Sequence, residues 1–231
     1  MANLFHLLLV NPLLSLLVFL YGSVAFHDLG VAIIMLTVLV RLILYPLFYK
    51  SLKQQVVLKK IQPHIQGIQT KHKDDRAAQG KALLALYKEH GVNPLMSLVL
   101  VFAQLPVLIA LYQVFINPPP ALTQSFLGLI SLHERSIVLV IIAALLQYLL
   151  GVMSMKGASD GPAAQTMRNM VIIGPIITVA VLWSLPAAVG VYWVTTTLFS
   201  IVQQMHVERK FPPAGTAAPM GTSARASDND K

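Results

Sequence analysis

A single arginine interrupts an apolar run that is long enough to cross a bilayer. The run extends from Leu29 to Phe48, with Arg41 inside it and Thr37 one helical turn earlier on the same face. About 20 apolar residues suffice for a membrane-spanning helix. A guanidinium near the centre of such a helix costs roughly 2.5–3.5 kcal/mol on insertion scales. It does not shed its proton, because its pKa lies above about 12. The fold must therefore give Arg41 a protein, water or anionic partner.

The rest of the chain keeps Arg41 in an apolar setting. The 231 residues are 56% hydrophobic and only 11% charged, whereas soluble domains carry about 25% charged residues. With a mean hydropathy of +0.69, the chain reads as an all-α polytopic membrane protein. The absence of cysteine excludes disulfides and thiolate metal sites. The net charge of +8 is concentrated between Lys50 and Lys88, including Lys59, Lys60, Lys71, Lys73 and Arg76. Such clustering between apolar runs is the positive-inside signal of a cytoplasmic segment. It argues against DNA as a partner and leaves room for attraction to anionic lipid.

The chain divides into an N-terminal apolar segment (1–28), a core (29–207) and a tail (208–231) read as disordered. Five spans are expected, at about 29–48, 94–116, 136–153, 167–185 and 187–207. Residues 49–92 are expected to form a cytoplasmic helical hairpin of two amphipathic helices, with Pro63 as an interruption and a charged turn at 71–75. The first stretch, about 4–26, is long enough to span, but Asn11-Pro12 breaks it. Hydropathy slightly favours a span over a helix lying in the interface. It carries neither the basic n-region nor the cleavage site of a signal peptide.

No enzyme motif is present: zinc-binding His-Glu-x-x-His, phosphate-binding Gly-Lys-Ser/Thr and nucleophile-elbow patterns are all missing. The expected protein is not an enzyme and needs no cofactor or metal. The spans hold almost no carboxylate to pair with Arg41. They do hold Thr37, Gln104, Gln147, Tyr192, Trp193 and Thr195 to Thr197, a set that can line a wet cavity around the arginine. Interhelical hydrogen bonding is the plainer role for each Gln or Thr alone. An aromatic belt is the plainer role for Trp183, Tyr192 and Trp193.

Four collinear segments carry a family resemblance. They are Thr37 to Leu47 around Arg41, Leu86 to Leu95 with its Asn93-Pro94-Leu95, Gln104 to Tyr112 with its Gln-x-Pro, and Pro186 to Trp193 with its Tyr-Trp pair. Together they resemble the YidC membrane protein insertases and their mitochondrial oxidase-assembly and chloroplast Albino relatives, over roughly residues 11–207. The resemblance implies about five transmembrane helices around a hydrophilic groove, closed on the outside and open to the cytoplasm and to lipid. The segment before the Arg41 helix is then an N-terminal interfacial helix. Arg41, Thr37, Gln104, Tyr192 and Trp193 map onto the family's groove positions, and Gln147 is grouped with them. The implied function is insertion and folding of nascent integral membrane proteins, alone or with the Sec translocon. The ribosome and the signal recognition particle receptor are candidate partners at the basic hairpin (Lys59, Lys60, Lys71, Lys73, Arg76). The implied location is the bacterial inner membrane. Neither a large periplasmic domain nor a long basic tail is expected. The corner before the last span, Pro186-Ala187-Ala188-Val189-Gly190, departs from the family's usual Pro-x-Gly. The first rival reading is a small anion channel or transporter, with Arg41 as its selectivity charge; the second is a passive assembly chaperone that binds spans without inserting them.

Overall fold

The computed structural model describes residues 4, 6–93, 95–116, 122, 125–156 and 162–212. Pro94, the interior of the 117–124 loop, residues 157–161 and the tail beyond Pro212 lie outside them, so the expectations placed there are untouched.

Among the described residues the chain forms eight α-helices and one small hairpin of strands. They are α1 (Asn11–Ser23), α2 (Leu29–Ile43), α3 (Tyr45–Lys71), α4 (Arg76–Glu89) and α5 (Met96–Ile116), then β1 (Ser125–Phe126) and β2 (Ile130–Ser131), then α6 (Ile137–Met155), α7 (Pro162–Leu182) and α8 (Ala187–Lys210). A short π-helical turn, His6–Val10, leads into α1.

The expected span at 29–48 is two helices. Helix α2 ends at Ile43, α3 begins at Tyr45, and their axes diverge by 66°. Pro46 is the physical cause: it has no N–H to give the Leu42 carbonyl, and its ring collides with that carbonyl in a continuous helix. Arg41 consequently sits in the last turn of a 15-residue helix rather than at mid-span. There its charge opposes the negative end of the helix dipole. Pro63, by contrast, does not interrupt α3. Pro63 itself is exposed.

Local chemistry fixes most helix ends. Asp28 caps α2, with its Oδ1 accepting from the Val31 N–H at 2.9 Å. Asp75 caps α4 by accepting from Ala77 and Ala78. Helix α4 stops at a left-handed Gly91 (φ 62°), where Val92 donates to the Tyr87 carbonyl at 2.8 Å and Gly91 to Lys88 at 3.2 Å. The Asn93 side chain then accepts from Leu95 and turns the chain into α5.

The apolar core occupies the half of the bundle remote from the α3/α4 hairpin. Leu17 and Leu20 of α1, Ile33 and Leu36 of α2, Leu111 of α5, Ala143 of α6 and Val189 of α8 all contribute to it. Helices α6 and α7 pack closely: a Cβ at Gly151 would lie 3.3 Å from the Val171 backbone. The α8 N-terminus is received by the segment between β2 and α6, with Ala187 donating to the Glu134 carbonyl at 2.7 Å and Ala188 to the Leu132 carbonyl at 3.2 Å.

The β1–β2 hairpin falls where only a loop was expected. Phe126 lies on Gly30 of α2 so closely that any Cβ there would overlap its ring. The Leu127 N–H donates to the second Asp28 carboxylate oxygen. Large apolar side chains elsewhere face outward, among them Phe19, Phe102, Ile141, Leu145, Ile172 and Ile176. Among the described residues, α6 alone is long and apolar enough to cross a membrane, and the bent α2–α3 pair qualifies jointly. Helix α8 has the length, at 24 residues, but a polar face dilutes it.

Candidate functional site

Between the apolar core and the hairpin lies a cavity of about 340 Å³, bounded by α2, α5, α6 and α8 with the first turns of α3. Five of the six expected groove residues line it: Arg41, Gln104, Gln147, Tyr192 and Trp193. Helix α8 supplies a whole wall. Tyr192, Trp193, Thr196, Thr197 and Ser200 fall at i, i+1, i+4, i+5 and i+8, the spacing of one helix face.

Arg41 is 5% exposed. Its Cζ lies 4.3 Å from the centroid of the Phe48 ring, which the 66° bend brings back over it. Among the described residues no acceptor reaches its Nε or Nη1. The amide of Gln104 donates to the Tyr192 hydroxyl, so these two expected site residues are joined across α5 and α8. Tyr192 is buried rather than placed in an aromatic belt, whereas Trp183 at the end of α7 is 54% exposed.

Thr37 is placed differently from the other five. It is buried, and its hydroxyl donates to the Ile33 carbonyl at 2.6 Å. It faces a much smaller void behind the main cavity, shared with Arg41, Gln104 and Tyr192. Thr195 likewise bonds the Val191 carbonyl and faces a separate apolar hollow with Phe126 and Leu139. Phe48 and Ser200 are wall residues that the sequence reading missed. Ser200 was detectable, since it continues the Tyr192–Thr196 face by one turn. Phe48 was not, since its place depends on the bend.

The five basic hairpin residues also separate. Lys60, Lys71, Lys73 and Arg76 are exposed. Lys59 turns into the bundle, where its Nζ donates to the Lys156 carbonyl at 3.1 Å near the end of α6. Burial holds its pKa below the ordinary lysine value, and Glu208 of α8 partly offsets this. Glu208 also accepts from Gln204 at 2.8 Å, and Gln204 meets Ser154 at 3.2 Å. The hairpin is thus tied to α6 and α8 by one polar junction.

Among the described residues, a helical bundle with an outward apolar surface holds a buried arginine in a largely apolar cavity that also carries Gln, Thr and Tyr side chains, and comparison with known proteins says to which family it belongs. Residues 19–214 match the family described as 60Kd inner membrane protein. The chain is 38% identical over 177 residues to a membrane protein insertase YidC of Clostridium tetani, covering 77% of this chain and 80% of that one. It is 33% identical over 185 residues to proteins of the same name from Francisella tularensis, in subspecies novicida and tularensis, spanning 79% of this chain but only 33% of theirs. The chain belongs to the 60Kd inner membrane protein family of YidC insertases, proteins of the bacterial inner membrane.

Proposed function

We propose that this chain is a membrane protein insertase and chaperone that receives nascent integral membrane proteins in a polar intramembrane groove centred on Arg41. The observation that carries the reading is the 5%-exposed guanidinium, two of whose nitrogens have no partner among the described residues, at the wall of a cavity otherwise lined mainly by apolar side chains. A buried charge without a partner is costly, and a passing client with a carboxylate or polar flank supplies one. The names of the family relatives support the same function and give the anion-channel reading nothing.

In this reading α2 with the first turns of α3, then α5, α6, α7 and α8, are five spans around the groove. The α3/α4 hairpin and the C-terminal end lie in the cytoplasm, and α1 lies in the outer interface. The lengths of the first two helices fit. Helix α1, with 13 residues, and α2, with 15, reach roughly 20 and 22 Å at about 1.5 Å per residue, short of a ~30 Å hydrocarbon core. Helix α1 is thus short enough to lie in the interface, and α2 needs the first turns of α3 to cross; the groove beside them lowers the cost of carrying a polar flank across. The step is non-covalent: the flank is held by Arg41, Gln104, Gln147 and the α8 hydroxyls, and the apolar segment then partitions into lipid. The exposed Lys60, Lys71, Lys73 and Arg76 offer the ribosome, a targeting receptor, the Sec translocon or anionic lipid a basic face.

The test is reconstitution. Purified chain in liposomes should protect the acidic translocated tail of a single-span client from added protease, and Arg41→Ala should lower that protection roughly tenfold or more, the scale of a lost charge-assisted hydrogen bond. Equal protection by Arg41→Ala and wild type would sink the groove-charge mechanism.

A further inference from the structure

Phe48 has no role in the function as described so far, yet it is the residue that covers the functional arginine. We propose that Phe48 is the positioning residue for Arg41: its ring holds the guanidinium by its face, keeping the N–H edge free to pair with a client carboxylate. The inference rests on the insertase reading and adds to it the element that sets client preference.

Three observations converge. First, the Arg41 Cζ lies 4.3 Å from the Phe48 ring centroid, and both residues line the cavity. On a straight helix, residues seven apart sit two turns away from each other, about 10 Å along the axis; the 66° break between α2 and α3 brings them together. Second, the polar neighbours do not immobilise the arginine. Gln104 is bonded to Tyr192, and among the described residues no acceptor reaches Arg41 Nε or Nη1. Third, a guanidinium carries all its N–H donors in its own plane. A π face attracts the cation without consuming any of them, whereas a carboxylate or amide in the position of Phe48 would occupy the donors meant for the client. An arginine whose Cζ is held over a ring in this way can present the fork that a carboxylate matches with two hydrogen bonds.

The experiment compares two versions of one single-span client, with an acidic translocated tail and with the same tail carrying Asn and Gln for Asp and Glu. Insertion into proteoliposomes is followed by protease protection, using full-length wild type, Phe48→Leu, Phe48→Trp and Arg41→Ala. Phe48→Leu keeps an apolar side chain but loses the π face, so the acidic-over-neutral rate ratio should fall roughly three- to tenfold, the range of a desolvated cation–π contact. Phe48→Trp restores the face and should keep the wild-type ratio or raise it. A Phe48→Leu protein with the wild-type ratio overturns the proposal. So does a fall in both clients at constant ratio, or a folded Phe48→Trp protein that has lost its preference. Arg41→Ala separates the two levels: if it abolishes the preference while Phe48→Leu does not, only the role of Phe48 fails. If Arg41→Ala retains the preference, the insertase reading of Arg41 fails with it.

Discussion

Two cations in this chain are drawn out of water, and they are handled in opposite ways. Arg41 is covered by an aromatic face and left with unpartnered donors. Lys59 is given a carbonyl acceptor and a nearby carboxylate, as a structural tie is. That difference bears on pH. Burial disfavours the ammonium of Lys59 in the docked hairpin, so its folded pKa lies below that of the free chain. Below the folded value the lysine is charged in both states and the burial cost is complete. As pH rises through the folded value toward about 10.4, the ordinary lysine pKa, the cost fades. Docking of the hairpin should therefore tighten over that alkaline window. Spin-label distances between α3 and α6 at pH 7 and at pH 10 check this, and Lys59→Met should flatten the dependence. An unchanged pH response in Lys59→Met would show that another group governs docking. Lys59 also marks where charge counting stops informing. Its sequence context is the same as that of Lys60, and only the helical phase of α3 decides that one faces the bundle and the other faces solvent.

At the level of elements, proline and glycine decide what hydropathy does not see. Arg41 apart, the apolar pattern from Leu29 to Phe48 is continuous, so a window average reads one span; Pro46 divides it by removing a single hydrogen bond. Pro46→Ala should let α2 run on into α3 and carry Phe48 away from Arg41, with the same loss of preference for acidic clients as Phe48→Leu. Distances across the break would report the straightening, and a bend that survives Pro46→Ala would assign it to packing against α8 instead. The β1–β2 hairpin escaped sequence reading because its paired residues, Ser125 with Ser131 and Phe126 with Ile130, are too few for any alternation. Its position is nonetheless specified, by Asp28 and by the missing side chain of Gly30. Gly30→Ala should cost about 1–3 kcal/mol of stability, the usual range for overpacking, read as a lower unfolding temperature in detergent. The double variant with Phe126→Ala should recover part of that loss, and strict additivity would show that the two residues do not meet. The polar site residues were legible for a simple reason: in an apolar span, Gln104, Gln147 and Tyr192 have few places to go except a common interior. Thr37 follows the same logic only halfway, because its hydroxyl is bonded to its own helix at the Ile33 carbonyl.

Taken whole, the molecule is asymmetric along the bundle axis, and that asymmetry is what an insertase of this kind needs. The apolar core fills the half nearest the clasp of Asp28 and Gly30 with Leu127 and Phe126, and the Arg41 cavity fills the half nearest the basic hairpin. In the proposed mechanism, a cavity backed by close packing on one side would admit a client from the other without opening a path for ions, because the barrier would be a full core rather than a constriction. The chain contains no cysteine, so single-cysteine variants report this directly. Ser200→Cys, on the cavity wall, should react with a membrane-impermeant maleimide added from the hairpin side and not from the other. Leu129→Cys, 85% exposed at the β-hairpin tip, should show the reverse. Leu132→Cys, fully buried in the core, should be silent from both sides. Reaction of Ser200→Cys from the Leu129 side would mean that the core does not seal the cavity. Insertion would then require a gate at the clasp between α2 and the strands, a different mechanism from a groove with one open end.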